Sequence, residues 1–266
     1  MPSVPSPVTT VERPLSARSV LASTLLGTEP PRLPVSRLLR AGELFGLAPG
    51  AVRTALSRMV AAGEAVRTAD GWYELGGELV HRQRLQRASR DAAVVEWSGR
   101  WRQAVVVRGA RSGPERAGLR RAMARLRMAE LRDGVWLRPD NLDPDRWPDA
   151  RTVADDQCRW FATFPDDDAA LAATLWDLDG WAQRADSLRR EMHGLAAGLA
   201  DGDPASLARG FVVSAAVLRH FGADPLLPRE LRPRRWPADA LRGDYDRYDA
   251  AYRRALRRWF DAEPTP

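Results

Sequence analysis

Within one nine-residue span, Gly50, Arg53, Thr54, Ser57 and Arg58 have the spacing to share one face of a helix. Arginine donates a planar fork to guanine edges or phosphate, and serine and threonine hydroxyls donate and accept hydrogen bonds. The intervening Val52, Ala55, Leu56, Met59 and Val60 form an apolar stripe that must face a core. A helix buried on that stripe and polar on the other fits the major groove of a duplex. Chemistry of turnover finds no comparable constellation. The chain has no G-x-S-x-G, no G-x-G-x-x-G and no Walker-type phosphate loop. His81, His193 and His220 stand far apart without a second ligand at metal spacing, and Asp166-Asp167-Asp168 reads as the acidic cap of a helix. Cys158 is the single cysteine, which excludes an intramolecular disulfide and a multi-cysteine metal site. The chain therefore reads as a non-enzyme with no catalytic residues, no metal and no cofactor.

The elements around residues 50–58 follow from local pattern. Prolines 2, 5, 7 and 14 make residues 1–14 a disordered leader. Ser16 caps a first helix with an apolar face at Val20, Leu21, Thr24 and Leu25, ended by Gly27. A Pro-rich link, Glu29 to Pro34, leads to a second helix with Val35, Leu38, Leu39, Leu44 and Phe45, stopped near Gly46. The third helix opens at Pro49, which a first turn tolerates, and ends at Gly63. Ala65 to Thr68 and Trp72 to Leu75 then flank Ala69-Asp70-Gly71, a hairpin signal. Three helices and a hairpin in this order predict a winged helix-turn-helix. In it, Arg53, Thr54 and Ser57 read bases beside Gly50 and Arg58, while Ser16, Arg18, Arg37 and Arg67 hold phosphates. A plain structural domain with solvated arginines fits the same pattern.

Downstream, Glu78 to Ala92 is a connecting helix carrying Arg82, Arg84, Arg87 and Arg90, which either track a phosphate backbone or stay solvated. Ala104-Val105-Val106-Val107 is a buried strand, and Pro114 opens a helix through Leu126. Short strands at Met128 to Leu131 and Val135 to Arg138 turn at Asp133-Gly134, and Trp160 to Phe164 closes the sheet. That order is ferredoxin-like in outline. The same fold occurs in a CRISPR-associated metal-dependent nuclease family, but the first strand here ends in Arg108-Gly109-Ala110 without a carboxylate for a metal. Helices at Ala169 to Asp177, Ala182 to Leu199 and Leu207 to Phe221 follow. The last is apolar on nearly every side and is expected to be buried all round. Trp176, Trp181, Trp236 and Trp259 either line an aromatic pocket or simply pack the core.

The expected class is α+β in five segments: leader 1–14, winged helix-turn-helix 15–77, linker helix 78–96, ferredoxin-like central domain 97–165 for dimerisation, and a mostly helical domain 166–266 for effector binding or dimerisation. The 266 residues hold 41 basic against 35 acidic side chains, a net charge of +6, and every basic residue is arginine. This favours a polyanionic partner, though a composition that uses Arg in place of Lys on ordinary surfaces explains part of it. No apolar run approaches the roughly 20 residues of a membrane span, and the N-terminus lacks signal-peptide regions, so a cytoplasmic location is expected.

The residues also resemble the phenylacetate-degradation repressor (PaaX) family. In the N-terminal part the resemblance rests on Ser16-Ala17-Arg18-Ser19, on the run from Ala51 to Met59, on Ala62-Gly63 and on Trp72-Tyr73-Glu74-Leu75. It continues at Trp97-Ser98-Gly99-Arg100-Trp101, the run Asp133 to Pro139, the run Asp224 to Leu231, Trp236-Pro237 and Tyr245. The leader and Trp181 to Arg209 hold no matching fragment. The resemblance implies a winged-helix DNA-binding domain, a ferredoxin-like middle, a helical C-terminal domain, and a homodimeric repressor of aromatic or acyl-CoA catabolism. It further implies release from operator DNA by phenylacetyl-CoA or a related aryl-acyl-CoA. Control by a protein partner, or an acyl-CoA enzyme with an accessory N-terminal domain, are the competing readings.

Overall fold

The computed structural model describes residues 15–68, 70–143 and 145–262; the expected leader, residues 1–14, lies outside them. The chain is α+β and forms two compact units, one from residues up to Arg84 together with Leu256 onward, the other from Leu85 to Ala255.

The first unit is built from helices α1 (Ala17–Leu26), α2 (Val35–Glu43) and α3 (Pro49–Ala61), and strands β1 (Arg32–Pro34), β2 (Ala65–Arg67) and β3 (Trp72–Leu75). The Ser16 side chain accepts the Ser19 N–H at the start of α1, as its sequence position predicts. Strand β1 lies where the sequence reading has only a Pro-rich link. It pairs antiparallel with β3, Leu33 opposite Tyr73, while β3 pairs with β2 across the hairpin, Ala65 opposite Leu75. Gly71 turns that hairpin at φ +73, where a Cβ would be strained. One core holds the unit: Leu21 and Leu25 of α1, Leu38 of α2, Val52, Leu56 and Met59 of α3, and Leu33, Tyr73 and Leu75 of the sheet. Gly42 lets α2 approach α3, since a Cβ there would sit 2.6 Å from the Val52 side chain.

Helix α4 (Gly77–Arg90) is more than the solvated connector its arginines suggest. Leu79 joins the first core, and the buried Gln83 donates its side-chain N–H to the Leu26 carbonyl at the end of α1. The expected linker, residues 78–96, is thus partly core.

The second unit contains a four-stranded antiparallel sheet in the order β5-β6-β4-β7, from β4 (Trp101–Val106), β5 (Ala129–Arg132), β6 (Val135–Pro139) and β7 (Cys158–Thr163). Helix α5 (Gly113–Arg125) joins β4 to β5, and α6 (Pro148–Asp155), absent from the sequence reading, joins β6 to β7. Ser112 and Glu115 form a reciprocal capping box at the start of α5. Both sheet faces are covered. Ala104, Trp136 and Cys158 pack on Leu119 and Met123 of α5 and Ala154 of α6. Trp101, Val135 and Leu137 on the reverse face pack on Ala172, Leu227 and Leu231. Residues 97–165 and 166–266, separated in the sequence reading, therefore share a core up to Ala255.

The remaining helices are α7 (Asp168–Leu175), α8 (Leu178–Gly194), α9 (Ala196–Asp201), α10 (Pro204–Gly222) and α11 (Ala238–Asp261). Asp167 caps α7 by accepting the Ala170 N–H, and Asp168 accepts the Trp101 indole N–H at 2.7 Å. The acidic triplet therefore caps and anchors a helix. Among the described residues no group of three or more His, Cys, Asp or Glu is placed to hold a metal.

Helix α10 corrects the expectation of burial all round. Leu207, Gly210, Val213, Val217 and Phe221 are buried on one stripe, while Phe211, Val212, Ala215, Ala216 and Leu218 are half-buried. Its apolar residues outnumber the positions its neighbours cover. No helix is long and apolar enough to cross a membrane among the described residues.

Candidate nucleic-acid interface

The surface singled out by residue type lies on α3. Val52, Leu56 and Met59 fix that helix to the core, and this rotates Gly50, Arg53, Thr54, Ser57 and Arg58 outward, where all five are exposed. Ser57 donates its hydroxyl to the Arg53 carbonyl at 3.1 Å. The Arg53 and Arg58 guanidinium groups have no hydrogen bond or ion pair among the described residues. Pro49 starts the helix, and Ala48 offers no side-chain cap. The Gly50 and Ala51 amides therefore stay open at the positive end of the helix dipole, an arrangement that suits phosphate.

The four flanking residues expected to hold phosphates divide. Arg67, on the β2 side of the hairpin, is exposed and unpaired among the described residues. Ser16 is occupied as the α1 cap and also shares a hydrogen bond with the Ser19 hydroxyl at 2.9 Å. Arg18 forms a fork with Glu64, its Nε 2.7 Å from one carboxylate oxygen and its terminal nitrogen on the other. Arg18 holds the Glu64 carboxyl below the usual carboxylate range. Arg37 pairs with Asp261 at 3.0 Å and lies over the Phe260 ring at 5.8 Å.

Sequence reasoning missed the contacts made by the end of α11. Trp259 donates its indole N–H to the Arg40 carbonyl, Arg40 donates to the Trp259 carbonyl, and the Arg40 guanidinium lies 4.2 Å from the Trp259 ring centroid. Trp259 thus belongs with α2 in the first unit and not with the C-terminal aromatic residues. In the second unit Trp181 stacks between His220 and Trp236, at 4.3 and 4.4 Å, and Trp176 stacks on Trp101 at 6.4 Å. Cys158 is buried, and burial pushes its thiol pKa up, so it stays protonated at neutral pH.

The first unit thus presents, on one helix and one hairpin, exposed arginines that have no partner among the described residues. Residues 16–79, which include every residue of this surface, match the family model described as PaaX-like protein. A solved structure, the uncharacterized protein Rv0674 from Mycobacterium tuberculosis, is 36% identical, with 92% of this chain and 98% of that chain covered and a TM-score of 0.72. No curated protein matches. The chain belongs to the PaaX-like family, a family of regulators.

Proposed function

We propose that this chain is a cytoplasmic transcription regulator that binds duplex DNA through a winged helix-turn-helix formed by α1–α3 and the β2–β3 hairpin. The observation that carries the reading is the α3 surface: five exposed polar or small residues over an apolar floor, two of them arginines without a partner among the described residues. Arg53, Thr54 and Ser57 reach base edges. Arg58, Arg67 and the open amides of Gly50 and Ala51 meet phosphates. The second unit, whose sheet has the ferredoxin-like order, serves dimerisation and effector binding.

By family resemblance the regulator is a repressor of aromatic or acyl-CoA catabolic genes, released by phenylacetyl-CoA or a related aryl-acyl-CoA. Release requires that the ester bind the non-DNA-binding state more tightly, because equal affinity for both states moves nothing. Gel shifts on DNA upstream of its own gene, titrated with a panel of aryl-acyl-CoA esters, test both steps. A retarded complex dissolved by one ester, and not by free coenzyme A or the free acid, is expected. DNA binding that no ester alters would favour control by a protein partner. Absence of duplex binding would overturn the reading.

A further inference from the structure

The four-stranded sheet of the second unit has two edges, and they are finished differently. At one edge β5 is four residues long, carries the exposed charges Glu130 and Arg132, and slips its register with β6 between those two residues. A short, charged, bulged strand is a poor template for another strand. At the other edge β7 has none of these devices. Its six residues, Cys158 to Thr163, keep an unbroken register with Trp101 to Val106 of β4, contain no proline and carry one charge, Arg159. Because β7 is the last strand of the sheet, its outer row of amides and carbonyls has no strand partner among the described residues.

The side chains point the same way. The register sets Arg159, Phe161 and Thr163 opposite Val105, Gln103 and Trp101, on the face where Trp101, Val135 and Leu137 pack on Ala172, Leu227 and Leu231. That cover stops short of β7: Phe161 is 52% exposed, and Val107, just past the end of β4, is 54% exposed. Phe164, just past the end of β7, is 69% exposed. One exposed apolar side chain is ordinary, but two phenylalanines beside an unpaired backbone row make a surface that another strand would cover.

We propose that β7 pairs with β7 of a second copy of this chain, antiparallel about a twofold axis that brings Phe161 of one copy against Phe161 of the other. The sequence of the strand selects this occupant. In that register Arg159 faces Thr163 of the second copy and Trp160 faces Ala162, so no like charges oppose and every pair occurs twice. A parallel pairing in register would instead set the two Arg159 side chains against each other. The proposal rests on the reading that the second unit dimerises, and it gives that reading its surface.

Cysteine cross-linking of the full-length chain tests the register. Residues directly opposite in an antiparallel pair have Cα atoms about 4.5–5.5 Å apart, within disulfide reach, so Phe161→Cys should form a covalent dimer on mild oxidation. Thr163→Cys, whose copy in the second chain lies about four residues or roughly 13 Å along the strand, should cross-link at least tenfold less. The wild-type chain, whose one thiol at Cys158 is buried, should not cross-link. Phe161→Glu, a change at a half-exposed position, sets two carboxylates across the axis and should raise the dimer dissociation constant by at least about tenfold, with an unchanged circular dichroism spectrum. Light scattering over a concentration series reads that shift. A dimer that Phe161→Glu leaves intact, or equal cross-linking by Phe161→Cys and Thr163→Cys, overturns the β7 pairing and leaves the dimer standing. A wild-type chain that stays monomeric throughout the series overturns both.

Discussion

Arg18 and Arg67 carry the same charge on the same unit, but their surroundings differ. Glu64 occupies the Arg18 fork, whereas Arg67 has no intramolecular partner among the described residues. A guanidinium already paired must give up its carboxylate before it contacts phosphate; an unpaired one releases counterions directly. Arg67→Ala should therefore lower the slope of log affinity against log salt by about 1, and Arg18→Ala should leave it unchanged. Binding isotherms over a salt series distinguish them, and equal flattening by both variants would return Arg18 to the phosphate contacts. Arg18→Ala should act on stability instead. Since Glu64 is held below its ordinary range, the pair stabilises the fold above the unfolded carboxylate pKa and loses that contribution as pH falls through the lower folded value. The variant should melt slightly below wild type at neutral pH, by the 0–1 kcal/mol typical of about one exposed pair, and match it in strong acid. A thermal melt at each pH decides this. Sequence alone identified the exposed α3 residues because their burial follows from helical spacing. It could not identify the Arg18 and Arg37 pairs, whose partners lie 46 and 224 positions away.

At the scale of elements, local signals found helices and turns wherever capping and periodicity were strong: Ser16 before α1, Pro49 opening α3, and Asp133-Gly134 between β5 and β6, with Gly134 at φ +76. Strand β1 escaped because three residues in a Pro-rich run owe their extended state to the Leu33–Tyr73 pairing, a tertiary cause. Helix α11 escaped because its buried stripe, Ala238, Leu241, Asp244, Tyr245, Tyr248, Tyr252 and Ala255, mixes three tyrosines with small and charged residues and is set among many charges. That tyrosine stripe packs tightly on α10, where the Tyr248 hydroxyl donates to the Gly210 carbonyl at 2.6 Å. A Cβ at Gly210 would stand 2.8 Å from that hydroxyl and 3.0 Å from the Tyr252 ring. Gly210→Ala should destabilise the second unit by about 1–3 kcal/mol in urea unfolding, and a neutral or stabilising result would contradict this packing. His220, stacked on Trp181, gives the same unit an acid response. Burial depresses its pKa, so the unfolded chain binds the proton first, and stability falls as pH drops from the unfolded histidine value through the lower folded one. His220→Gln should flatten the pH dependence of the urea midpoint in that window; an unchanged slope would assign it to other groups.

At the scale of the whole molecule, one short helix buries too little surface for specific recognition, so a twofold dimer reading paired half-sites is expected. Light scattering should give twice the chain mass of 29.5 kDa for the free protein, and that mass plus one duplex on DNA. A monomer in both states would contradict that arrangement. Helices α4 and α11 each contribute residues to both units, and the first unit, drawn from both sides of the second in the chain, is not a contiguous segment that sequence reading could cut out. The central claim is that α3 reads DNA sequence, and base preference in the Arg53→Ala variant tests it most directly. With a library of duplexes spanning the upstream operator, the variant should lose about 1–3 kcal/mol on the preferred sequence and accept other bases at one position. Unchanged affinity together with an unchanged base preference would contradict the account.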